Sequence, residues 1–232
     1  MNPDTALSGF LDAARIFFIS SSTMPDGSAQ IDWIGSAMIW LLLLLSFVSV
    51  GLIARAFLAN RRGSVAPRGA ADALVHRAQR EGVAQIRASL LSNDGVLGRI
   101  AAAVLEALPL GKSGCVDAAE SAAEECAARR FRAIESLNTL AQVSPMIGLF
   151  GTVYGMIVAF QTVAASGGQA DPALLAGGIG TALVTTFWGL VIAIPALVTF
   201  ATVRNRIDEE IALALEAALR AAGDLAAREA RA

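Results

Sequence analysis

Two long stretches of this chain carry no charged residue at all, Ser136 to Ala170 and Pro172 to Val203. A hydrocarbon layer about 30 Å thick is crossed by roughly 20 apolar residues of helix, so each stretch is long enough to span it. Both carry glycine and threonine where a simple anchor would carry leucine. Such small and hydroxyl-bearing residues predict helices that pack on protein or line a path, rather than face lipid alone. A third charge-free run, Trp33 to Ala54, lies between Asp32 and Arg55. With 55% hydrophobic residues and a mean hydropathy of +0.59, the chain reads as an integral membrane protein.

The arginines set an expected orientation. Arg55, Arg61, Arg62 and Arg68 follow the first span, Arg129, Arg130 and Arg132 precede the second, and Arg204 and Arg206 follow the third. The connection from Ser166 to Asp171 has no basic residue, and the segment before the first span has only Arg15. Basic residues collect on the cytoplasmic side, so the N-terminus is expected outside and the C-terminal tail inside. Arg129, Arg130 and Arg132 are placed to anchor the inner interface and to meet anionic lipid. Residues 1–23 lack the basic start and small-residue cleavage pattern of a signal peptide.

The fold class expected is an all-α membrane protein, three transmembrane helices whose long continuations form a cytoplasmic helical bundle. The divisions read from the sequence are 1–32, an external amphipathic segment; 33–57, the first span; 58–138, a cytoplasmic helical region; 139–165, the second span; 166–171, a short external loop; 172–203, the third span; and 204–232, a cytoplasmic helical tail. Within the first of these, Leu7, Phe10, Leu11, Ala14, Phe17 and Phe18 fall near helical spacing, as in a helix lying on the membrane surface. Ser21 to Gln30, with Pro25, Asp26 and Gly27, reads as a turn-rich link, and Asn60 to Gly69 as an arginine-rich linker. Ala70 to Leu91 and Val96 to Leu108 have helical composition and are separated by the break Ser92-Asn93-Asp94-Gly95. The run Ala118 to Leu140 has no proline or glycine and is expected to enter the membrane as one continuous helix. No strand pattern and no internal repeat is evident.

Enzyme chemistry finds little support. No nucleophile–base pair, metal cluster or phosphate loop occurs, so no cofactor and no metal is expected. His76 reads as a solvated surface residue, and Cys115 and Cys126 as ordinary thiols without metal-ligand spacing. A net charge of −2 gives no footprint for nucleic acid.

The residues of the second and third spans resemble a known family. Pro145, Gly148, Gly151-Thr152-Val153 and Gly155-Met156 are similar to the second span of the MotA/TolQ/ExbB proton-channel family. Gly178-Ile179, Ala182-Leu183, Thr186, Gly189-Leu190 and Ala193-Ile194-Pro195-Ala196 are similar to its third. Three spans with an external N-terminus match the TolQ/ExbB-like branch. The resemblance implies a homo-oligomer, a pentamer, around a pore in the bacterial inner membrane. It implies a single-span ExbD/TolR-like partner whose membrane aspartate titrates, and a TonB- or TolA-like protein beyond it. It also implies that proton flow drives mechanical work at the cell envelope, such as energising outer-membrane transport. Thr152 and Thr186 match the family's pore threonines, with the implied role of hydrogen-bonding the partner carboxylate or pathway water. Many relatives carry a glutamate where this chain has Thr181.

Physical readings stand beside that resemblance. Intramembrane proton carriers are usually ionisable residues, and the second and third runs contain none. Any titrating group must come from a partner, or the chain is a non-conducting scaffold assembling other proteins through its cytoplasmic helices. Thr181 and Thr185 are four apart and share a helix face, while Thr186 is rotated about 100° from Thr185. The two neighbours therefore cannot both point squarely into a pore, and Thr181 with Thr185 form a second polar face. Threonine in a membrane helix also commonly bonds its own carbonyl one turn back. Gly148, Gly151, Gly155 and Gly189 are expected to allow close helix contact, and Pro145 and Pro195 to kink or bound their helices. Tyr154 and Trp188 could line a cavity but read first as packing residues.

Overall fold

The structure is a computed structural model that describes residues 17–18, 21–23, 29–62, 68–80, 85–86, 95–168 and 172–229. Its helices are α1 (Trp33–Arg62), α2 (Arg68–Arg80), α3 (Val96–Ala107), α4 (Gly111–Ala165) and α5 (Pro172–Glu229), with a 3-10 turn at Leu108–Leu110. Three of the helical stretches are long and apolar enough to cross a membrane. The all-α membrane architecture expected from the sequence is thus the one observed. Most of the external amphipathic segment, the Gly63–Pro67 part of the linker, and the Ser92–Asp94 break lie outside the described residues. So do Gln169 to Asp171 of the short loop.

Local chemistry explains where the helices begin and end. Asp32 caps α1, its Oδ1 accepting the Ile34 N–H at 3.1 Å, as an N-cap carboxylate does. α4 ends in a Schellman turn: Gly168 N–H donates to the Val163 carbonyl at 3.1 Å and Gly167 N–H to that of Ala164 at 3.3 Å. Gly167 takes φ +64°, a conformation that favours glycine at this position. α5 opens on Pro172, whose missing N–H costs nothing in a first turn. Pro145 and Pro195 do not bound their helices; α4 and α5 run through them.

A short antiparallel hairpin adds to this picture. β1 (Ser21–Thr23) pairs with β2 (Ala29–Ile31), Ser21 facing Ile31 and Thr23 facing Ala29. Strands of three residues are too short to show an alternating pattern, which is why the sequence suggested only a turn-rich link there.

The chain divides into two compact units, one of residues 1–53 and 136–198, the other of 54–135 and 199–232. The first is built from the apolar parts of α1, α4 and α5 around Leu42, Leu140 and Ile192, with Leu45, Leu52, Ile147 and Trp188 packed against them. Large apolar side chains remain exposed along it at helical spacing, Met146, Leu149, Val153, Ile157 and Phe160 on α4 and Leu183, Phe187, Leu190, Ile194 and Leu197 on α5. The second unit buries Leu97, Ile100 and Val104 of α3 against Ala119 and Ala123 of α4 and Ala214, Ala218 and Leu225 of α5. Alanine on the facing helices allows their backbones to approach closely. In this unit Arg130 forms an ion pair with Glu210 that leaves only 20% and 9% of the two side chains exposed.

Candidate functional site at the α4–α5 contact

Glycines set the distance between the two helices. A Cβ on Gly151 would lie 2.4 Å from the Thr185 Oγ1, one on Gly155 2.7 Å from the Gly178 carbonyl oxygen, and one on Gly189 2.8 Å from the Ser144 carbonyl oxygen. Contacts that short do not occur, so at these positions the helices can meet only because the side chains are absent. Gly148 faces the backbone of Thr185 and Thr186 at 3.0 to 3.1 Å in the same sense. Pro145 borders the contact beside Gly189. Pro195 lies farther along α5, exposed, and is not brought to it.

That close approach brings Thr152 and Thr186 together. Their Oγ1 atoms are 3.1 Å apart, and either hydroxyl can donate. Thr152 Oγ1 also lies 2.9 Å from the Leu149 carbonyl and 3.1 Å from that of Gly148. Thr186 Oγ1 reaches the same Gly148 carbonyl at 3.3 Å, as does Thr185 at 3.3 Å. Three hydroxyls from two helices thus converge on one backbone oxygen.

Burial separates the four threonines singled out from the sequence. Thr185 is fully buried between the helices and donates mainly to the Ala182 carbonyl at 2.9 Å. Thr181 is buried too, bonded to the Gly177 carbonyl at 3.2 Å. Thr152 and Thr186 are only partly buried. Each hydroxyl can offer a proton or accept one. The pair can therefore follow an incoming carboxyl group or water through a change of protonation without an ionisable group of its own. Among the described residues no cluster of histidine, cysteine and carboxylate side chains could hold a metal.

Two residues near the site were read from sequence first as packing residues and prove to be hydrogen-bond donors as well. Tyr154 donates its hydroxyl to Asp32 Oδ1 at 2.9 Å, and Trp188 its Nε1–H to the Phe17 carbonyl at 3.0 Å. The available signals were the polar tips of both rings, which normally find partners when buried, and an aspartate directly before an apolar helix. Ser144, fully buried, bonds the Leu140 carbonyl at 2.7 Å beside Pro145.

Comparison with known proteins bears on the same helices. The profile of the MotA/TolQ/ExbB proton channel family matches residues 92–216. The biopolymer transport protein exbB1 of Vibrio cholerae is 34% identical over 164 residues, 69% of this chain and 72% of that protein. The biopolymer transport protein ExbB of Neisseria gonorrhoeae is 39% identical over 101 residues, 43% of this chain and 44% of that one. The Tol-Pal system protein TolQ of Haemophilus influenzae is 42% identical over 84 residues, 33% of this chain and 36% of TolQ. The chain thus spans less than half the length of the last two relatives. The family profile covers more than half of the chain and takes in both threonines and the glycines between the helices: this chain belongs to the MotA/TolQ/ExbB proton channel family, in its TolQ/ExbB-like branch.

Proposed function

We propose that the chain is a proton-channel subunit of an ExbB/ExbD- or TolQ/TolR-like motor of the bacterial inner membrane. Five copies surround a pore that holds an ExbD/TolR-like single-span partner, whose membrane aspartate carries the proton. The motor turns proton motive force into mechanical work at the envelope through a TonB- or TolA-like protein. The N-terminus is periplasmic and the C-terminus cytoplasmic, an orientation that the distribution of arginines supports.

The observation that carries this reading is the partly exposed Thr152–Thr186 hydroxyl pair, at 3.1 Å, in spans without an ionisable residue. A site that can exchange hydrogen bonds with a carboxyl group but holds no carboxyl of its own fits a partner that supplies one. The names of the relatives, biopolymer transport and Tol-Pal system, support the same class of work. The exposed apolar faces of α4 and α5 suit helix–helix and lipid contact alike.

The test is proton flux in vesicles containing the chain with its partner, comparing the wild type with Thr152→Ala plus Thr186→Ala. Loss of flux with the ring intact supports the proposal. Wild-type flux in a stably assembled double variant removes the threonines from the pathway. A wild-type assembly that carries no protons returns the chain to the scaffold reading.

A further inference from the structure

Tyr154 lies two residues past Thr152 on α4, and Trp188 two residues past Thr186 on α5. At about 100° and 1.5 Å per residue, each leaves its helix roughly 200° around from its threonine and about 3 Å farther along the axis. Both reach the segment that precedes α1. Tyr154 donates to Asp32 Oδ1 at 2.9 Å, and Trp188 Nε1–H to the Phe17 carbonyl at 3.0 Å. These two acceptors bracket the β1–β2 hairpin, whose first pair joins Ser21 to Ile31, the residue before Asp32.

Each end of this connection is seated by further contacts. Asp32 Oδ1 also accepts the Ile34 N–H at 3.1 Å, and its carbonyl accepts the Ser36 N–H at 2.8 Å. The carboxylate is therefore held by the first turn of α1. On the other side Phe17 packs edge-on against Phe187, ring centroids 5.5 Å apart, and Phe18 lies 6.4 Å from Trp188.

We propose that Phe17 and Asp32 are a two-point tether that sets the rotation of α4 and α5 and so determines how Thr152 and Thr186 face each other. A turn of α4 large enough to part the hydroxyls must break the Tyr154–Asp32 bond or drag the start of α1 with it. Hydrogen bonds to a carboxylate are among the strong ones, so this restraint is not trivial. The bond from Trp188 restrains α5 on the other side of the hydroxyl pair, because the two helices run antiparallel, Gly155 meeting Gly178 and Gly189 meeting Ser144. Tyr154, Trp188 and Asp32 are positioning residues, acting on the hydroxyl pair through their helices. The consequence for proton flux rests on the proton-channel reading above, whereas the tether itself does not.

The chain has a single tyrosine, so ring-labelled tyrosine in the full-length protein gives an infrared signal from Tyr154 alone. In lipid vesicles the wild type is expected to show a phenol donating to a carboxylate. Asp32→Ala shifts that signal to a weakly bonded phenol, and Asp32→Asn, which keeps an acceptor oxygen, gives an intermediate position. Thr152→Ala plus Thr186→Ala also shifts it, because the opposite face of α4 is released. Proton flux through the complex with its partner falls roughly tenfold in Tyr154→Phe, on the scale of one lost hydrogen bond to a charged group, and by less in Trp188→Phe, which loses a bond to a neutral carbonyl. Asp32→Asn recovers most of the flux that Asp32→Ala loses. A Tyr154 signal indifferent to Asp32→Ala, or to the paired threonine substitution, overturns the tether, as does wild-type flux in an intact Tyr154→Phe complex. If the wild-type complex carries no protons, the channel reading falls, and the infrared shifts alone decide the tether.

Discussion

At the scale of the residue, Thr185 and Thr186 show how one step around a helix changes a role. Thr185 is enclosed between α4 and α5, while Thr186 meets Thr152 where both remain partly accessible. The roughly 100° rotation between neighbours predicted that they could not share a direction, and family resemblance ranked Thr186 first. What the sequence could not show was that Gly148 would offer its carbonyl to all three hydroxyls, because that depends on how closely two distant segments pack. Asp32 escaped notice for the same reason: its partner is Tyr154, far along the chain. The glycines give a contrast that can be measured. Gly151→Ala should lower stability by about 1–3 kcal/mol through overpacking, and Thr185→Gly should recover part of that loss, because the three nearest atoms, Cβ included, all belong to the Thr185 side chain. Gly155→Ala meets the Gly178 carbonyl oxygen and the Ala182 backbone nitrogen as well as the Ala182 Cβ, so truncating Ala182 to glycine should leave most of its loss in place. Thermal unfolding of the purified protein in detergent distinguishes the two. The thiols provide a second check. Burial pushes both Cys115 and Cys126 upward, and for Cys126 it outweighs the opposing pull of Arg99, Arg129 and Arg130. Stability from keeping these thiols neutral is full below the ordinary thiol range and is lost as pH rises through their raised values. Native-state alkylation should accordingly stay slow at neutral pH and accelerate only in alkali, well behind the unfolded chain.

At the scale of the element, α4 and α5 were the most legible parts of the chain. The breaker-free run Ala118 to Leu140 was expected to enter the membrane as one continuous helix, and α4 is unbroken from Gly111 to Ala165; the third span and the tail, read as separate segments, prove to be one helix as well. The prolines were read less well. Pro145 and Pro195 could have bounded the helices, but each lies within an unbroken one, where the loss of a single backbone donor is tolerated when neighbouring helices and hydroxyls cover the gap. The three-residue strands were invisible because so short a run has no periodicity to read. Arg130 was expected to serve as an interfacial anchor with its neighbours; in the structure it is paired with Glu210 across α4 and α5. Breaking a largely buried pair removes a charge partner that water replaces poorly. Glu210→Ala should therefore cost about 3 kcal/mol, and the exchange Arg130→Glu with Glu210→Arg should restore part of it. Urea or thermal melts of the two variants against wild type test this.

At the scale of the whole molecule, three membrane-capable helices and the family profile define the class of protein. A single sequence cannot state how many copies assemble, since stoichiometry is set by surfaces that show only as exposed apolar stripes. Native mass spectrometry of the complex extracted in mild detergent should give five copies of this chain with two of a small single-span protein. A monomer or an even-numbered assembly without such a partner, robust to a change of detergent, would favour the scaffold. The threonine cluster has one more consequence for that partner. Thr152, Thr185 and Thr186 bring one hydroxyl proton each, yet the oxygens within reach of those protons are the carbonyls of Gly148, Leu149 and Ala182 as well as the hydroxyls of Thr152 and Thr186. The cluster is short of protons. A visitor bearing an acidic proton would find a lone pair waiting, whereas its conjugate base would first have to turn a hydroxyl, so such a site would greet the two forms of one acid unequally.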